Sequence, residues 1–427
     1  MEQIKIKGID EVVYHEVLDN GLPVYMLVNK HVNSFYITLS VKYGSIHTEF
    51  KNNRGEEYKV HDGVAHFLEH VNFNEKDGYT AHDYFKKIGS SINAFTTFDF
   101  TCYEVMGTSK FKKNLEHLLD YVETPYFTKD LIEKEKGIIV EEVKMGKNNP
   151  SHKLYYGMNK CLYKKDKRRN LVTGEVDDVV NTSVEELQNV YETFYHPKNM
   201  FLIITGNFEV DEALRIIKDN QNKRNFIDYK EPIVKLDEEP IEVNKDYEVI
   251  EANVEIPKLK ISYKMPYSLF KEYDKATLLI YLNMLCRCNF GNISLFREEL
   301  LSKNLVNSIR AGADLFNDAI TLEVNVDCRE PNDVIDLIKN KINNLEISED
   351  DLIRRKRCNI ASMIKDYDDI EYVNTDMAYQ MVTYGHIIDD MFDRYNSINM
   401  KDMKDIMKKM DLSNNSTVLL VPIKKDS

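Results

Sequence analysis

Two histidines and a glutamate lie within five residues and are the part of the sequence best suited to chemistry. His66, Glu69 and His70 form the pattern H-x-x-E-H. On a helix, residues four positions apart project from one face, so both imidazoles can chelate a single cation. Neutral imidazoles suit Zn²⁺, and a carboxylate beside a zinc-bound water can serve as the base of a hydrolytic reaction. The spacing therefore predicts a zinc site with Glu69 as its base.

The alternative interpretation of the two histidines is a structural pair in the protein core. The segment around them is apolar and includes Val64, Ala65, Phe67, Leu68 and Val71. Two histidines and a glutamate in such a helix cost free energy unless their polar atoms are compensated. A bound metal ion supplies that compensation, so the sequence favours the zinc site.

Catalytic zinc usually has three protein ligands, and a helix predicted at residues 128–147 offers the third. One predicted face of this helix carries two carboxylates at helical spacing among apolar residues. The residues of this face are Leu131, Glu135, Ile138, Glu142 and Met145. Because buried carboxylates must be paired or bound to a metal, Glu142 is the predicted ligand. Glu141 points elsewhere, among lysines, and is predicted to be solvated.

Glu135 lies two turns before Glu142 on the same predicted face. From this position its carboxylate can orient a ligand or hold a proton, so Glu135 is a predicted catalytic residue. The alternative interpretation is an exposed acid that pairs with a nearby lysine.

The composition is that of an ordinary globular protein with an acidic surface. Of its 427 residues, 43% are apolar and 30% are charged, and the formal net charge is −14. This charge argues against nucleic acid as the main partner. The six cysteines include no C-x-x-C pair, and no apolar run approaches the ~18 residues of a membrane span. Since the first residues also lack a signal-like apolar segment, the sequence predicts a cytoplasmic protein that does not bind membranes.

A polar stretch near the middle divides the sequence into two parts with similar ends. Residues 221–246 contain two prolines and no helical apolar stripe, and they are predicted to form an interdomain linker. Each part closes with an amphipathic helix, a short turn and an apolar strand, at residues 183–205 and 400–421. We predict a duplicated α+β domain, with one copy at residues 1–220 and the other at 247–427.

Strand-like and helix-like segments alternate inside the first part. Strands are predicted at residues 34–43, 92–97 and 100–106, and helices at residues 63–73, 80–88, 112–122 and 128–147. Several neighbouring strands look like hairpins. A mixed, mostly antiparallel sheet with helices on one face is therefore favoured over a doubly wound parallel sheet.

These motifs resemble the pitrilysin-type metallopeptidases, the family of insulin-degrading enzyme and the mitochondrial processing peptidase. The family carries H-x-x-E-H with a glutamate some seventy-odd residues downstream, at the place of Glu142. The similarity continues at residues 92–96 (I-N-A-F-T), 133–142 and 194–200, so specific motifs cover the whole first part. The second part resembles the family only by pattern. Within the family, the chain is most similar to bacterial zinc peptidases of about its own length.

The resemblance implies a fold of two homologous α+β roll domains per chain. It also implies one Zn²⁺ per chain, held by His66, His70 and Glu142, with Glu69 activating the water that attacks a peptide bond. The implied activity is that of a zinc endopeptidase acting on short unstructured peptides, such as a precursor or leader peptide.

The resemblance also implies how substrate is held. The strand with Asn93, Ala94 and Phe95 would pair with the substrate backbone and extend the sheet. Family members often add an Arg and a Tyr, seven residues apart, from the second domain. Arg297 matches the Arg, whereas the Tyr position aligns best with Asn307. This departure implies either that the second domain does not complete its own site or that a partner chain supplies the grip. The partner is favoured, in a homodimer or in a heterodimer with a homologous chain that need not be active.

One function from a different class remains open. The chain can be a non-catalytic structural or peptide-presenting subunit of a heterodimeric peptidase, although such subunits typically lose H-x-x-E-H. Two basic runs, at residues 164–169 and 354–357, are interpreted as solvated surface. The alternative for these runs is a patch that binds the acidic end of a peptide.

Overall fold

The computed structural model describes residues 1–226 and 228–423. Residue 227 of the predicted linker and residues 424–427 of the predicted second domain lie outside the described residues. None of the helices in the described ranges combines the length and the apolar character that a bilayer span requires.

The chain divides into two compact units, and each unit includes one segment from the opposite half of the sequence. Unit 1 consists of residues 1–143, 171–236 and 364–390. Unit 2 consists of residues 144–170, 237–363 and 391 onwards. The predicted domains are continuous stretches of sequence. The units are not, because residues 144–170 belong to unit 2 and residues 364–390 belong to unit 1.

Helices and strands alternate along both units. The helices are α1 (Val64–Asn72), α2 (Ala81–Ile88), α3 (Phe111–Val122), α4 (Lys129–Asn148), α5 (Pro150–Leu162), α6 (Val176–Asn181), α7 (Val184–Phe194), α8 (Val210–Gln221), α9 (Lys275–Phe290), α10 (Leu295–Ser302), α11 (Pro331–Asn343), α12 (Glu349–Asp366), α13 (Ile370–Thr383), α14 (Met391–Ser397) and α15 (Met400–Lys409). The strands are β1 (Glu2–Ile6), β2 (Glu11–Val17), β3 (Pro23–Val28), β4 (Phe35–Val41), β5 (Glu49–Lys51), β6 (Glu57–Lys59), β7 (Ser91–Thr96), β8 (Thr101–Gly107), β9 (Met200–Gly206), β10 (Ile233–Val234), β11 (Tyr247–Ala252), β12 (Lys258–Pro266), β13 (Ser308–Phe316), β14 (Ala319–Asp327) and β15 (Asn415–Pro422).

The main sheet of unit 1 has the strand order β1-β2-β3-β9-β4-β8-β7. Strands β3 and β9 run parallel, and the other neighbours in this sheet are antiparallel. A small second sheet has the order β10-β5-β6. The predicted mixed, mostly antiparallel sheet is therefore confirmed.

The sheet of unit 2 repeats the main part of the first sheet strand for strand. Its order is β11-β15-β12-β14-β13, with β11 and β15 parallel and the remaining neighbours antiparallel. The same pattern occurs in β3-β9-β4-β8-β7, where the first and last strands along the chain are also the parallel pair. The fold is thus α+β with two homologous domains, as predicted.

Both sheets are buried on two faces, because successive residues of a strand point to opposite sides. In β3, Val24 and Met26 belong to the core on one side, whereas Tyr25 and Leu27 belong to a separate core on the other. We call the face that packs on α1 or α9 the first face, and the opposite one the second face. Helices therefore lie on both faces of each sheet, whereas the sequence predicted helices on one face.

The exchanged segments supply the helices on the second faces. Helix α13 places Val373 and Met377 against Phe100 and Phe201 in unit 1. Helix α5 packs on β11, β15 and β12 in unit 2. Its approach is so close that a Cβ on Gly157 would lie 2.5 Å from Cδ1 of Ile250. Each second face is thus covered by a helix from the other half of the chain.

Candidate metal centre

Helix α1 carries the H-x-x-E-H pattern and begins at a glycine that its surroundings require. Gly63 has a φ of +85°, in the left-handed region that side chains rarely adopt. A Cβ on it would lie 2.3 Å from the carbonyl oxygen of Thr173. The helix then buries Val64, Phe67 and Leu68 in the core of unit 1. This packing fixes the rotation of α1, so both histidines point to the same side.

The structure brings the three predicted ligands together. The imidazole rings of His66 and His70 have centroids 4.7 Å apart. Nε2 of His66 lies 3.5 Å from Oε1 of Glu142, and Nε2 of His70 lies 3.3 Å from Oε2 of the same carboxylate. The potential ligand atoms of the three residues all lie within 4.8 Å of one another. The two histidines come from α1 and the glutamate from α4.

This donor set fits zinc. Two imidazole nitrogens and one carboxylate are the ligands of many catalytic zinc sites, which keep a further position for water or substrate. Nδ1 of His66 is buried and has no hydrogen-bond partner within the described part of the chain. The Nε2 atoms of both histidines point at one carboxylate, at distances where a cation between them would satisfy all three groups.

The electrostatics of the cluster favour a cation. Burial lowers the pKa of His70, but hydrogen bonds to Glu135 and Glu142 and the charge of Glu69 outweigh it and raise this pKa to about 9. Hydrogen bonds from His66 and His70 hold the pKa of Glu142 well below its usual range. Three carboxylates around two imidazoles thus attract positive charge, which either a proton or a metal ion can supply.

The predicted base lies beside the metal ligands and is held by the edge strand. The side chain of Glu69 is buried, with 6% of the residue exposed. Its Oε2 accepts a hydrogen bond from Oγ1 of Thr96, at 2.6 Å. Thr96 was not among the predicted site residues, although it ends the I-N-A-F-T segment. This bond connects the base on α1 to the end of β7.

Glu135 lies behind His70 and not on the protein surface. It is 5% exposed, and its Oε2 is 3.5 Å from Nδ1 of His70. Nδ2 of Asn74 donates to Oε1 of Glu135 at 3.2 Å and to the backbone oxygen of His70 at 3.1 Å. The alternative of an exposed, lysine-paired acid is therefore wrong. Asn74 was missed because it follows the end of α1, outside any spacing rule.

The buried face of α4 differs from the predicted stripe. The buried residues are Ile132, Glu135, Ile139 and Val143, whereas Ile138 is 47% and Met145 is 67% exposed. The predicted apolar stripe was wrong because it lies at the margin of the face that packs on the core. The side chain of Glu142 is 39% exposed for the same reason. A ligand at this margin meets both histidines and stays accessible from solvent.

The predicted substrate-binding residues of the first domain lie on β7, the last strand of its sheet. Ala94 packs on the first-face core. Nδ2 of Asn93 donates to Oε2 of Glu104 at 3.2 Å, and Phe95 meets Phe100 edge-on, with ring centroids 5.7 Å apart. Because residues alternate along a strand, the side chains of Asn93 and Phe95 point away from α1. What β7 offers beside the cluster is therefore mainly its backbone edge.

Arg297 lies in unit 2, in the first turn of α10. Its Nε is buried without a hydrogen-bond partner among the described residues. Asn307, which aligns with the expected Tyr, is exposed and its backbone N–H donates to the oxygen of Asp327 at 2.7 Å. The structure thus gathers the predicted metal and base residues in unit 1, whereas Arg297 belongs to unit 2.

Comparisons with known proteins decide the family. Residues 25–174 match the model described as Insulinase (Peptidase family M16), and residues 181–357 match the model described as Peptidase M16 inactive domain. Over 99% of its length, the chain is 32% identical to a Bacillus subtilis protein named Uncharacterized zinc protease YmfH, of which it covers 99%. The chain belongs to the M16 family. The predicted resemblance to pitrilysin-type zinc peptidases is confirmed.

Solved structures of M16 proteins share the fold. An M16-like peptidase from Alicyclobacillus acidocaldarius superposes with a TM-score of 0.90 at 24% identity, over 97% of this chain and 99% of that one. The periplasmic protease PqqL from Escherichia coli superposes with a TM-score of 0.74 at 18% identity, over 96% of this chain but 47% of that one. This M16 chain therefore corresponds in fold to about half of PqqL.

Proposed function

We propose that this M16 chain is a zinc-dependent endopeptidase that hydrolyses short, unstructured peptides. The observation that carries the proposal is the convergence of His66, His70 and Glu142 next to the buried carboxylate of Glu69. The three converging residues would hold one Zn²⁺. When bound, zinc supplies a Lewis acid that polarises the scissile carbonyl and makes water more acidic.

The residues around the cluster have distinct roles in this proposal. Glu69 takes a proton from the attacking water and returns it to the leaving amine. Thr96 donates to one oxygen of Glu69, which fixes the carboxylate and leaves its other oxygen for the proton. Glu135 fixes the ring of His70 through Nδ1, while Asn74 holds Glu135 in place. Glu135 is therefore a positioning residue and not the base.

The edge of β7 limits the substrate to extended chains. A peptide can add to this edge as a further strand only if its own backbone groups are not already paired. This requirement favours unstructured peptides, and it suits the processing of a precursor or leader peptide. The small side chain of Ala94 and the base-bound Thr96 lie on the side of β7 that faces α1.

A second chain is part of the proposal. Because this chain corresponds in fold to about half of PqqL, another chain would supply the missing half, either as a homodimer or as a homologous partner. Arg297, whose Nε has no hydrogen-bond partner among the described residues, would add a substrate contact from unit 2. The cytoplasmic location and the absence of nucleic-acid binding stay predictions from the sequence.

The test is Glu69→Gln, which keeps the shape of the side chain and removes the base. We expect zinc content to equal that of the parent, while cleavage of a quenched-fluorescence peptide library falls by at least about 10³-fold. Glu133→Gln, an exposed acid on α4, is the matched control and should cleave normally. Cleavage by the Glu69→Gln protein at the parent rate would refute the base. A folded, zinc-loaded parent that cleaves nothing, alone or with a partner, would instead indicate a non-catalytic subunit.

A further inference from the structure

Unit 2 contains a groove lined by charged and aromatic side chains that the proposed hydrolysis does not use. It has a volume of about 630 Å³ and lies wholly within unit 2. Its floor is the second face of β12, β14 and β13, and its wall is the first half of α5. The lining includes Lys258, Lys260, Arg310 and Asn325 on the floor and Tyr155 on the wall.

The floor of the groove carries charges in two rows across the strands. Lys258 lies opposite Asp327, which lies opposite Ser308 on the next strand. Lys260 lies opposite Asn325, which lies opposite Arg310. Directly opposed side chains have Cβ atoms about 5 Å apart, so each row is one set of interacting groups.

The two acids diagonal to Arg310 on β14, Glu323 and Asp327, already have partners. Asp327 accepts from Nζ of Lys258 at 2.8 Å and from Oγ of Ser308 at 2.9 Å, one bond to each carboxylate oxygen. Glu323, the acid on the other side of Asn325, forms an ion pair of 2.7 Å with the buried Lys260. The lysines of the groove are therefore neutralised, and their acids are not available to a further cation.

Arg310 and its cross-strand neighbour Asn325 are left without partners. Within residues 1–226 and 228–423, neither side chain forms a hydrogen bond or an ion pair, and Arg310 is exposed. The groove thus has one uncompensated positive charge and, directly beside it, an amide that can donate. In a chain with a net charge of −14, an unpaired arginine in a concave site stands out against the acidic background.

We propose that this groove binds the C-terminal carboxylate of a peptide, with Arg310 and Asn325 as its donors. A planar guanidinium pairs with a carboxylate through two parallel hydrogen bonds, and the amide of Asn325 can add a third. The ring of Tyr155 on the wall offers an apolar surface for the last side chain of the peptide. The C-terminal carboxylate is the anion that every linear peptide carries, whatever its sequence, and each cleavage creates a new one.

The inference rests on the proposed peptidase function for its choice of ligand, but its test needs no hydrolysis. Fluorescein-labelled peptides without Asp or Glu are prepared as a free acid and as a C-terminal amide. Their dissociation constants are measured by anisotropy with the full-length, zinc-loaded Glu69→Gln protein, and mass spectrometry checks that the peptides stay intact. Because a free carboxylate can also bind the metal, the part of the ratio that is lost on Arg310→Gln reports binding in the groove.

We expect the free acid to bind about tenfold more tightly than the amide, as for a charge-assisted pair at a partly exposed site. Arg310→Gln should bring the ratio close to one, and Asn325→Ala should reduce it by about threefold. Arg215→Gln is the matched control, since Arg215 is an exposed arginine of α8 outside the groove and outside both basic runs, and it should keep the full ratio.

Three results would overturn the inference. The first is equal binding of acid and amide by the starting protein, and the second is an unchanged ratio after Arg310→Gln. The third is tight, Arg310-dependent binding of an amidated peptide with an internal Glu, which would show that the groove recognises acidic side chains. Failure of the parent protein to cleave peptides would refute the proposed function but would leave these binding ratios interpretable.

Discussion

The two units place a helix against an edge strand in the same topological position, and the side chains at that contact differ. In unit 1, Glu69 of α1 bonds to the side chain of Thr96 and leaves the backbone edge of β7 alone. In unit 2, Asn283 of α9 bonds to the backbone of β13. Its Nδ2 donates to the oxygen of Ala313 and its Oδ1 accepts from the nitrogen of the same residue, both at 3.0 Å.

In the proposed function, this difference separates the domain with the metal cluster from its homologue on the same framework. An amide carries both donors and an acceptor, so Asn283 satisfies the N–H and the C=O of Ala313 together and closes the edge at that point. A carboxylate beside two imidazoles satisfies no backbone group and instead gathers charge. The proposed chemistry would therefore depend on a few side chains and not on the sheet that both domains share.

The largest expected effect is a loss of zinc affinity after a substitution in α1 that the matched substitution in α9 does not cause. His66→Ala removes a ligand of the proposed zinc site, so zinc affinity should fall by more than about 100-fold. Removal of a residue that only hydrogen-bonds a ligand costs about 10–100-fold. Asn283→Ala, the matched change in α9, should leave zinc affinity unchanged. Competition with a chelating dye measures both. Similar losses in the two variants would show that zinc affinity does not depend on the unit 1 cluster.

The next largest effect is on zinc affinity when the carboxylate of Glu135, which contacts His70, is replaced. Glu135→Gln keeps the volume but weakens the contact to Nδ1 of His70, so zinc affinity should fall by about 10–100-fold. Glu133→Gln, on the exposed side of the same helix, should change it little. A Glu135→Gln protein with parental zinc affinity would mean that His70 is oriented by packing alone.

The second faces of the sheets offer a comparison in stability. Asn374 of α13 is fully buried in unit 1, where it accepts from Oγ1 of Thr38 at 2.6 Å and donates to Oγ1 of Thr205 at 3.3 Å. Asn374→Ala removes these hydrogen bonds and opens a cavity, at a cost on the order of 2–4 kcal/mol. Lys258→Ala breaks a pair that is one-third exposed in unit 2 and should cost less than about 1 kcal/mol. Urea unfolding compares them, and equal losses would contradict the contrast.

The smallest effect is local to the edge of β13. Asn283→Ala removes both bonds to Ala313 and should destabilise this edge by about 1 kcal/mol, which corresponds to roughly fivefold faster opening. Hydrogen exchange of the segment 308–316, followed by mass spectrometry, measures the change. The segment 91–96 of unit 1 is the internal reference and should exchange as in the parent. Unchanged exchange at 308–316 would mean that Asn283 does not protect the edge.

Local sequence patterns predicted the elements that hold the metal cluster. The structure has α1 and α4 within about one residue of the predicted helices at 63–73 and 128–147. These elements were predictable because helical periodicity and a histidine pair four residues apart are local signals. Their proposed roles in metal binding and catalysis stay predictions that the experiments above address.

Contacts that join distant segments were not predictable in the same way. The bond between Thr96 and Glu69 depends on how β7 passes α1, and the bond between Asn74 and Glu135 depends on how α4 crosses the end of α1. Periodicity also placed Glu142 on a buried stripe, whereas its side chain is 39% exposed. The period of a helix identifies a face, but tertiary packing decides which part of that face is buried.

The exchange of α5 and α13 between the two halves of the sequence determines what happens when the chain is cut between them. Each half of the sequence retains one helix that belongs to the core of the other half. A protease that cuts the polar stretch at residues 237–246 would therefore produce two fragments that remain associated as a complex. Neither fragment would be a self-sufficient domain, because each would lack the helix that covers the second face of its sheet.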